Sequence, residues 1–238
     1  MSENVSSPEE VAPEPTEDDR RLEASIRARQ QLWKRDGKLE SGAFTFLKNP
    51  LLMGTLKWPS LRTAFVRVDR TKSVLMASDG LSDPFTGDPE RGNGHCLEVY
   101  METRDQDQID KAWADHKTSW LFQTLYNVAQ NIIHIPDVAA ELESTGLVSM
   151  ELQKVSIADE WKNDYDNIGV LLGVTPKTLA TEVNLPLSKA KLAAVVLRRP
   201  KELEYAKQEG EAGLKKLNKL LRKKGEYHLS SLNRKSVI

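Results

Sequence analysis

Apolar and polar positions alternate from Leu61 to Val68, with Phe65 and Val66 flanked by Arg62 and Arg67, and the stretch predicts a strand. The turn-forming Asp69-Arg-Thr-Lys72 separates it from a second short strand over Ser73 to Ala77. In Cys96 to Glu102 the residues Leu97, Val99 and Met101 share one side, with Glu98, Tyr100 and Glu102 on the other, the pattern of a half-buried strand. Leu147 to Val155, Ile168 to Val174 and Leu192 to Leu197 predict three more strands, and Tyr227 to Ile238 an edge strand.

Helical spacing takes over elsewhere. Leu22, Ile26, Leu32 and Trp33 fall on one stripe between an N-cap at Asp18 or Asp19 and a stop at Gly37. Ile109, Trp113, Trp120, Leu121, Leu125, Val128 and Ile132 give a broad apolar face to one helix over Asp105 to Ile133, ended or kinked by Pro136. A short helix follows Asp137 and closes near Gly146. Pro200 opens a helix to about Gln208, and a last one runs from Glu211 to Lys224 before Gly225. The segment from Ala43 through Leu51 to Met53, broken by Pro50, Gly54 and Pro59, fits neither period. The expected architecture is α/β (α+β): a single main domain with a mixed β-sheet flanked by helices. Its divisions are an acidic disordered tail over 1–19, a helix and linker over 20–42, and the domain over 43–238.

Composition narrows the function. The chain has 238 residues, enough for a full core, and its formal net charge of -1 gives no global attraction to nucleic acid or anionic lipid. One cysteine, Cys96, excludes an internal disulfide and suits a reducing compartment. The tail is acidic and Pro-rich where a signal peptide is basic and then apolar, and the longest apolar run, Lys191 to Leu197, has only strand length. A cytoplasmic protein without a transmembrane segment is expected.

Residues in catalytic or metal-binding patterns are scarce. The histidines His95, His116, His134 and His228 are scattered, with no spacing that sets metal ligands on one face. His95 and Cys96 are neighbours on the expected strand and point to opposite faces, which argues against a thiol and base pair. No phosphate loop, nucleophile elbow or dinucleotide motif is present. Hence no catalytic residue, metal or cofactor is expected. The most distinctive feature is the loop from Asp79 to Asp88, where Asp79, Asp83 and Asp88 surround Phe85. One reading makes it a tight connection in which Asp79 and Asp83 cap backbone N–H groups. The other makes Asp79, Asp83, Phe85 and Asp88 a partner-binding rim that presents the ring. The last helix sets Lys215, Lys216, Lys219, Arg222, Lys223 and Lys224 against Leu214, Leu217, Leu220 and Leu221, a packed surface helix with a solvated basic side or a contact for phosphates.

Several short motifs resemble the suppressor of fused domain family. Ser73 to Glu102 is similar to its central block: a strand, a Gly-Leu-Ser/Thr-Asp motif at Gly80-Leu-Ser-Asp83, and a glycine-led Leu-Glu strand at Gly94 to Val99. Ser119-Trp-Leu-Phe122, Leu197-Arg-Arg-Pro-Lys-Glu-Leu-Glu-Tyr205 and the closing Leu232-Asn-Arg-Lys-Ser-Val237 resemble later family segments. An aromatic usual in the glycine-led motif is replaced by Asn93 or His95, and the length leaves no room for the second domain of animal members. The two-domain peptide clamp of those members therefore does not carry over whole. The resemblance to single-domain bacterial members implies a non-catalytic module that sequesters or neutralises a protein partner, a toxin or a regulatory target. Two alternatives stay open: a nucleic-acid or membrane-surface adaptor acting through the basic last helix, and an unrecognised hydrolase using Asp79, Asp83 or Asp88. The partner and the oligomeric state are not fixed by the sequence.

Overall fold

The alternating run from Arg62 and the apolar run after it form a hairpin, β3 (Arg62–Arg70) and β4 (Ser73–Ser78), paired from Arg70↔Ser73 to Phe65↔Ser78. In this computed structural model the described residues are 14–40, 42, 44–47, 58–60, 62–85, 87–135 and 137–238. Residues 1–13 of the tail expected over 1–19, the unassigned segment 51–53 and the stop at 136 lie outside them, whereas Glu17 to Asp19, expected to belong to that tail, form the first turn of a helix. The other strands are β1 (Lys38–Leu39), β2 (Phe44–Leu47), β5 (Leu97–Thr103), β6 (Val148–Leu152), β7 (Ile168–Leu172), β8 (Glu182–Asn184), β9 (Lys189–Arg198) and β10 (Leu229–Ser230). Together they make one mixed sheet ordered β1-β3-β4-β5-β9-β7-β6, with β2 on β3, β8 on β9 and β10 on β5. Among the described residues, only β5 with β9 and β10 with β5 run parallel.

Helices cover both faces. On one side α3 (Trp120–His134) and α4 (Val138–Thr145) close the main core, where Leu121, Leu125, Val128 and Ile132 meet Phe65, Met76, Val99, Met101, Val170 and Val195. On the other, α1 (Glu17–Asp36) lays Leu32 and Trp33 against Val66, Val68, Leu75 and Tyr100. Beside it α5 (Pro200–Lys223) presses Leu221 onto Leu171 and Val196. Gly210 interrupts α5 at φ 59°, a left-handed conformation that glycine adopts without a Cβ penalty, so the two predicted helices join end to end across a bend.

Four expectations need correction. First, β5 is buried on both faces along its whole length, because α1 covers the side that holds Glu98, Tyr100 and Glu102. Second, α1 is capped by Thr16, whose hydroxyl accepts from the Asp19 N–H while the Asp19 carboxylate accepts from the Thr16 N–H. The helix thus starts before Asp18.

Third, the long helix over Asp105 to Ile133 is three pieces: α2 (Gln106–Ile109), a 3-10 turn at Trp113–Thr118, and α3. Arg67 of β3 donates to the carbonyls of Ile109 at 2.9 Å and Lys111 at 2.5 Å, acceptors that a continuous helix would have used itself. Fourth, β10 is no edge strand. It sits where β5 and β9 diverge, pairing with Glu102 and Thr103, and its Ser230 hydroxyl accepts from Leu197 N–H on β9 at 3.0 Å.

Charge pairs hold this C-terminal segment in place. Glu202, in the first turn of α5, receives both guanidinium ends of Arg234 at 2.7 Å and the Val237 N–H at 2.8 Å. Glu102 accepts from Ser73 and meets His228 Nε2 at 2.6 Å. Burial raises the pKa of Glu202, but Arg234 and the Val237 and Arg199 amides outweigh it, so the folded value lies below the ordinary 4.5. A lowered carboxylate pKa adds stability that is complete above the unfolded value and drains as pH falls through the folded one. Glu202→Gln should therefore cost about 3 kcal/mol at neutral pH by leaving Arg234 buried without its counter-charge. It should also flatten the loss of stability with acid below about pH 4.5. Denaturant titrations across that range, wild type against variant, measure both; parallel acid slopes would contradict the assignment.

Candidate functional site

The stripe of α1 that faces the sheet contains two polar side chains, Ser25 and Arg29, both essentially without solvent contact. A guanidinium in that position must be paired, because desolvating it alone costs several kcal/mol. The loop between β4 and β5 supplies the partners. Arg29 Nε meets Asp79 Oδ1 at 2.5 Å, Nη2 meets Asp83 Oδ1 at 2.5 Å, and Nη1 donates to Ser82 Oγ at 3.1 Å. Arg62 closes the outer side, bonding Asp79 at 3.3 Å and its carbonyl at 2.5 Å, and lying 3.5 Å from Asp83. Ser60 donates to Asp83 at 2.9 Å.

Below this lies Glu98 of β5, fully buried, which accepts from the N–H groups of Gly80 and Ser82 at 3.1 and 3.0 Å and from the hydroxyls of Ser78 and Ser82. It performs the backbone capping that the sequence reading assigned to Asp79 and Asp83. Burial lowers the pKa of Arg29, yet Asp79, Glu98 and Asp83 outweigh it and hold the guanidinium above the ordinary arginine value. For Asp83 burial prevails: its pKa is raised, and Arg29 and Arg62 offset only part of the cost.

The four residues singled out from sequence separate into two pairs. Asp79 and Asp83, 1% and 0% exposed, share Arg29 and Arg62 and point inward, so they form no acidic rim. Phe85 and Asp88 share Arg91: its guanidinium lies 3.6 Å from the Phe85 ring centroid, and its Nε is 3.9 Å from Asp88, which stays half exposed. Phe85 is 9% exposed, closed by Arg91 on one face and approached edge-on by His95. His95 and Cys96 precede β5 rather than belonging to it, and Cys96 takes a left-handed φ of 48°.

In front of the loop lies an open groove of about 790 Å³, walled by Phe85, Arg91, His95 and Cys96 on one side and by the corner between α3 and α4 on the other. Ile132, Ile133, Val138 and Ala139 line it, and Ile135 at that corner is 44% exposed. Sequence reasoning missed this second wall, because an exposed isoleucine at the C-cap of a helix has no periodicity of its own. It also missed Arg29, although a signal was present: Ser25 and Arg29 fall at helical spacing on the stripe that carries Leu32 and Trp33. The basic residues of the last helix are all exposed, whereas Leu217 and Leu221 are buried in the domain and offer no free apolar face to a bilayer. Among the described residues, no helix is long and apolar enough to cross a membrane.

No family model matches the chain, and none of the curated proteins does. Among solved structures it is similar to the crystal structure of Drosophila Suppressor of Fused, with a TM-score of 0.52 and 15% identity over 91% of this chain. The match covers 51% of that protein, so this chain spans about half its length. A structure described as the Sufu-Fu complex matches with a TM-score of 0.45 and 14% identity, over 91% of this chain and 92% of that one. The chain has a suppressor of fused-like fold.

The network sets the expected cost of breaking it. Asp83→Ala removes partners from Arg29, Arg62 and Ser60 together and should cost about 3 to 5 kcal/mol, against about 0.5 to 2 kcal/mol for a lost backbone cap. Phe85→Ala should cost about 2 to 3 kcal/mol, near or under the low end for a core phenylalanine, since one ring face is closed by a guanidinium and not by the core. Urea titration of both variants gives the two values; an Asp83→Ala variant that loses under 1 kcal/mol would show that Arg29 finds other partners.

Proposed function

We propose that the chain is a non-catalytic protein-binding module that sequesters or neutralises a protein partner. Neutralisation of a toxin, with the domain acting as an immunity protein, is the finer form of this reading. One observation carries it: an open groove of mixed polar and apolar lining stands directly in front of a loop that a dry ion network holds rigid. A wall fixed before binding pays little ordering entropy on association, and an exposed Ile135 beside Phe85 supplies apolar area that gains by being covered. The shared fold supports the reading, since Drosophila Suppressor of Fused bears the name of a suppressor.

The mechanism is occlusion. A contact of roughly 800 Å² per partner is the usual size of a stable interface, and covering the partner's own active site needs no chemistry from the module. The hydrolase alternative loses its support at Asp79 and Asp83: both carboxylates are closed off from solvent and bonded to arginines, so a substrate has no access to them. In this reading Phe85, Asp88 and Ile135 face the partner, and Asp79 and Asp83 act from behind by fixing the loop.

Ile135→Asp tests the groove. Because Ile135 is 44% exposed, the substitution should change folding stability by only about 0.5 kcal/mol. Affinity capture from the native cells, with wild type and variant run in parallel and bound proteins quantified by mass spectrometry, should show a stoichiometric protein whose retention on the variant falls at least about tenfold. Equal retention on both, at equal stability, would remove the groove from the interface.

A further inference from the structure

Arg198 ends β9 on the face covered by α5, with 1% of its surface exposed. Its cross-strand neighbour on β7 is Gly169, and Gly169 in turn pairs with Glu151 on β6, the last strand of the sheet. With no side chain at Gly169, the arginine can run across β7 beneath Leu203, whose atoms would lie 3.2 Å from a Cβ placed there. Its Nη2 thus reaches β6 and donates to Ser149 Oγ at 2.7 Å. Ser149 is exposed, on the outermost strand.

What this guanidinium lacks is a counter-charge. Its Nε and Nη1 are buried and have no hydrogen-bond partner among the described residues. The nearby carboxylates are engaged: Glu202 is held by both ends of Arg234, and Glu151 binds Lys207 at 2.8 Å and Asn163 at 3.0 Å. Burial pushes the Arg198 pKa down to about 10, with Glu202 and Glu151 restoring only part. The other buried arginines described above are each held by a carboxylate: Arg29 by Asp79 and Asp83, Arg67 by Asp69 together with the Ile109 and Lys111 carbonyls, and Arg234 by both oxygens of Glu202, with only its Nε lacking a partner among the described residues. Replacing such a cation by an apolar side chain of like volume is commonly neutral or stabilising, so a bare buried arginine is a cost to the fold unless something binds it.

We propose that Arg198 and Ser149 form an oxyanion site at the open edge of the sheet, which takes a phosphoryl group. A tetrahedral dianion suits donors that do not share a plane: the guanidinium behind, the Ser149 hydroxyl at the mouth, and the Lys207 ammonium, which already reaches Glu151 two residues along the same strand face. The group arrives either on a soluble phosphate compound or as a phosphate ester of Ser149, formed when the hydroxyl oxygen, giving its proton to the base of a separate kinase, attacks the terminal phosphorus of a nucleoside triphosphate and the nucleoside diphosphate leaves. The site lies on β6, apart from the groove proposed for the protein partner, and stands or falls independently of that reading.

The probe is inorganic phosphate, with the unfolding midpoint of the recombinant full chain followed at constant ionic strength against chloride. Phosphate stabilises most proteins weakly and without saturation, so the readout is the saturable part. Wild type should show a saturating rise. Arg198→Met should lose it while remaining at least as stable as wild type in chloride, and Ser149→Ala, a surface change that leaves the fold intact, should need about tenfold more phosphate. Peptide mapping of the protein from its own cells separates the sources: an ester on Ser149 identifies the covalent one, and a bare Ser149 with a saturable response the soluble one. A midpoint that responds to phosphate equally in wild type, Arg198→Met and Ser149→Ala overturns the site. So does the absence of both a saturable response and an ester.

Discussion

A guanidinium taken out of water must meet its charge at fixed distance and angle, and this single requirement at Arg29 ties three parts of the chain together. Helix α1 delivers the cation, the loop after β4 delivers Asp79 and Asp83, and β5 delivers Glu98. None of the three can shift by an ångström without leaving a buried charge unmatched. Three carboxylates face two guanidinium groups, Arg29 and Arg62; the raised pKa of Asp83 comes first from its burial, which the two arginines offset only in part and to which Asp79 and Glu98 add. A loop with two glycines and a proline, which would wander in water, is thereby locked from behind.

The same device closes the other end of the chain. Glu202 grips Arg234 and Val237, and Glu102 grips His228, so β10 is drawn into the fork between β5 and β9. Apolar contact alone would not choose this register, since Leu229 and its neighbours could slide along an open fork. Paired charges admit one alignment, which is the best attested use of buried ion pairs.

This reliance on buried charge decides what could be read from sequence. The apolar faces were legible: Leu97, Val99 and Met101 on β5 and Leu121, Leu125 and Val128 on α3 lie where periodicity set them, and the gap expected between a helix to about Gln208 and one from Glu211 is narrowed to the bend at Gly210. Misreadings concentrate where a charged residue is inside. Glu98 and Glu102 looked like the wet side of a strand, because period-two alternation treats carboxylate as solvent. Asp79 and Asp83 looked like a rim for the same reason. The break in the predicted long helix traces to Arg67, a residue some forty positions earlier whose reach is invisible to local pattern. The candidate groove depends on the α3–α4 corner meeting the loop in space, and no spacing rule brings Ile135 to Phe85.

Satisfied and unsatisfied groups fall in different parts of the molecule. Around Arg29 and Arg234 every charge is answered, and those regions read as scaffold. The groove before the loop leaves apolar surface open to water, and Arg198 leaves two nitrogens with no acceptor. Both are costs that folding alone does not repay, and they lie apart: the groove stands by the loop that leads into β5, in the middle of the sheet, and Arg198 reaches toward β6, the last strand of the path. A surface of apolar side chains is answered by a partner's apolar side chains, and a stripped cation by an anion. On the two proposals above, the defects call for two ligands of different chemistry, each held by its own elements: the loop and the α3–α4 corner for one, β9 and β6 for the other.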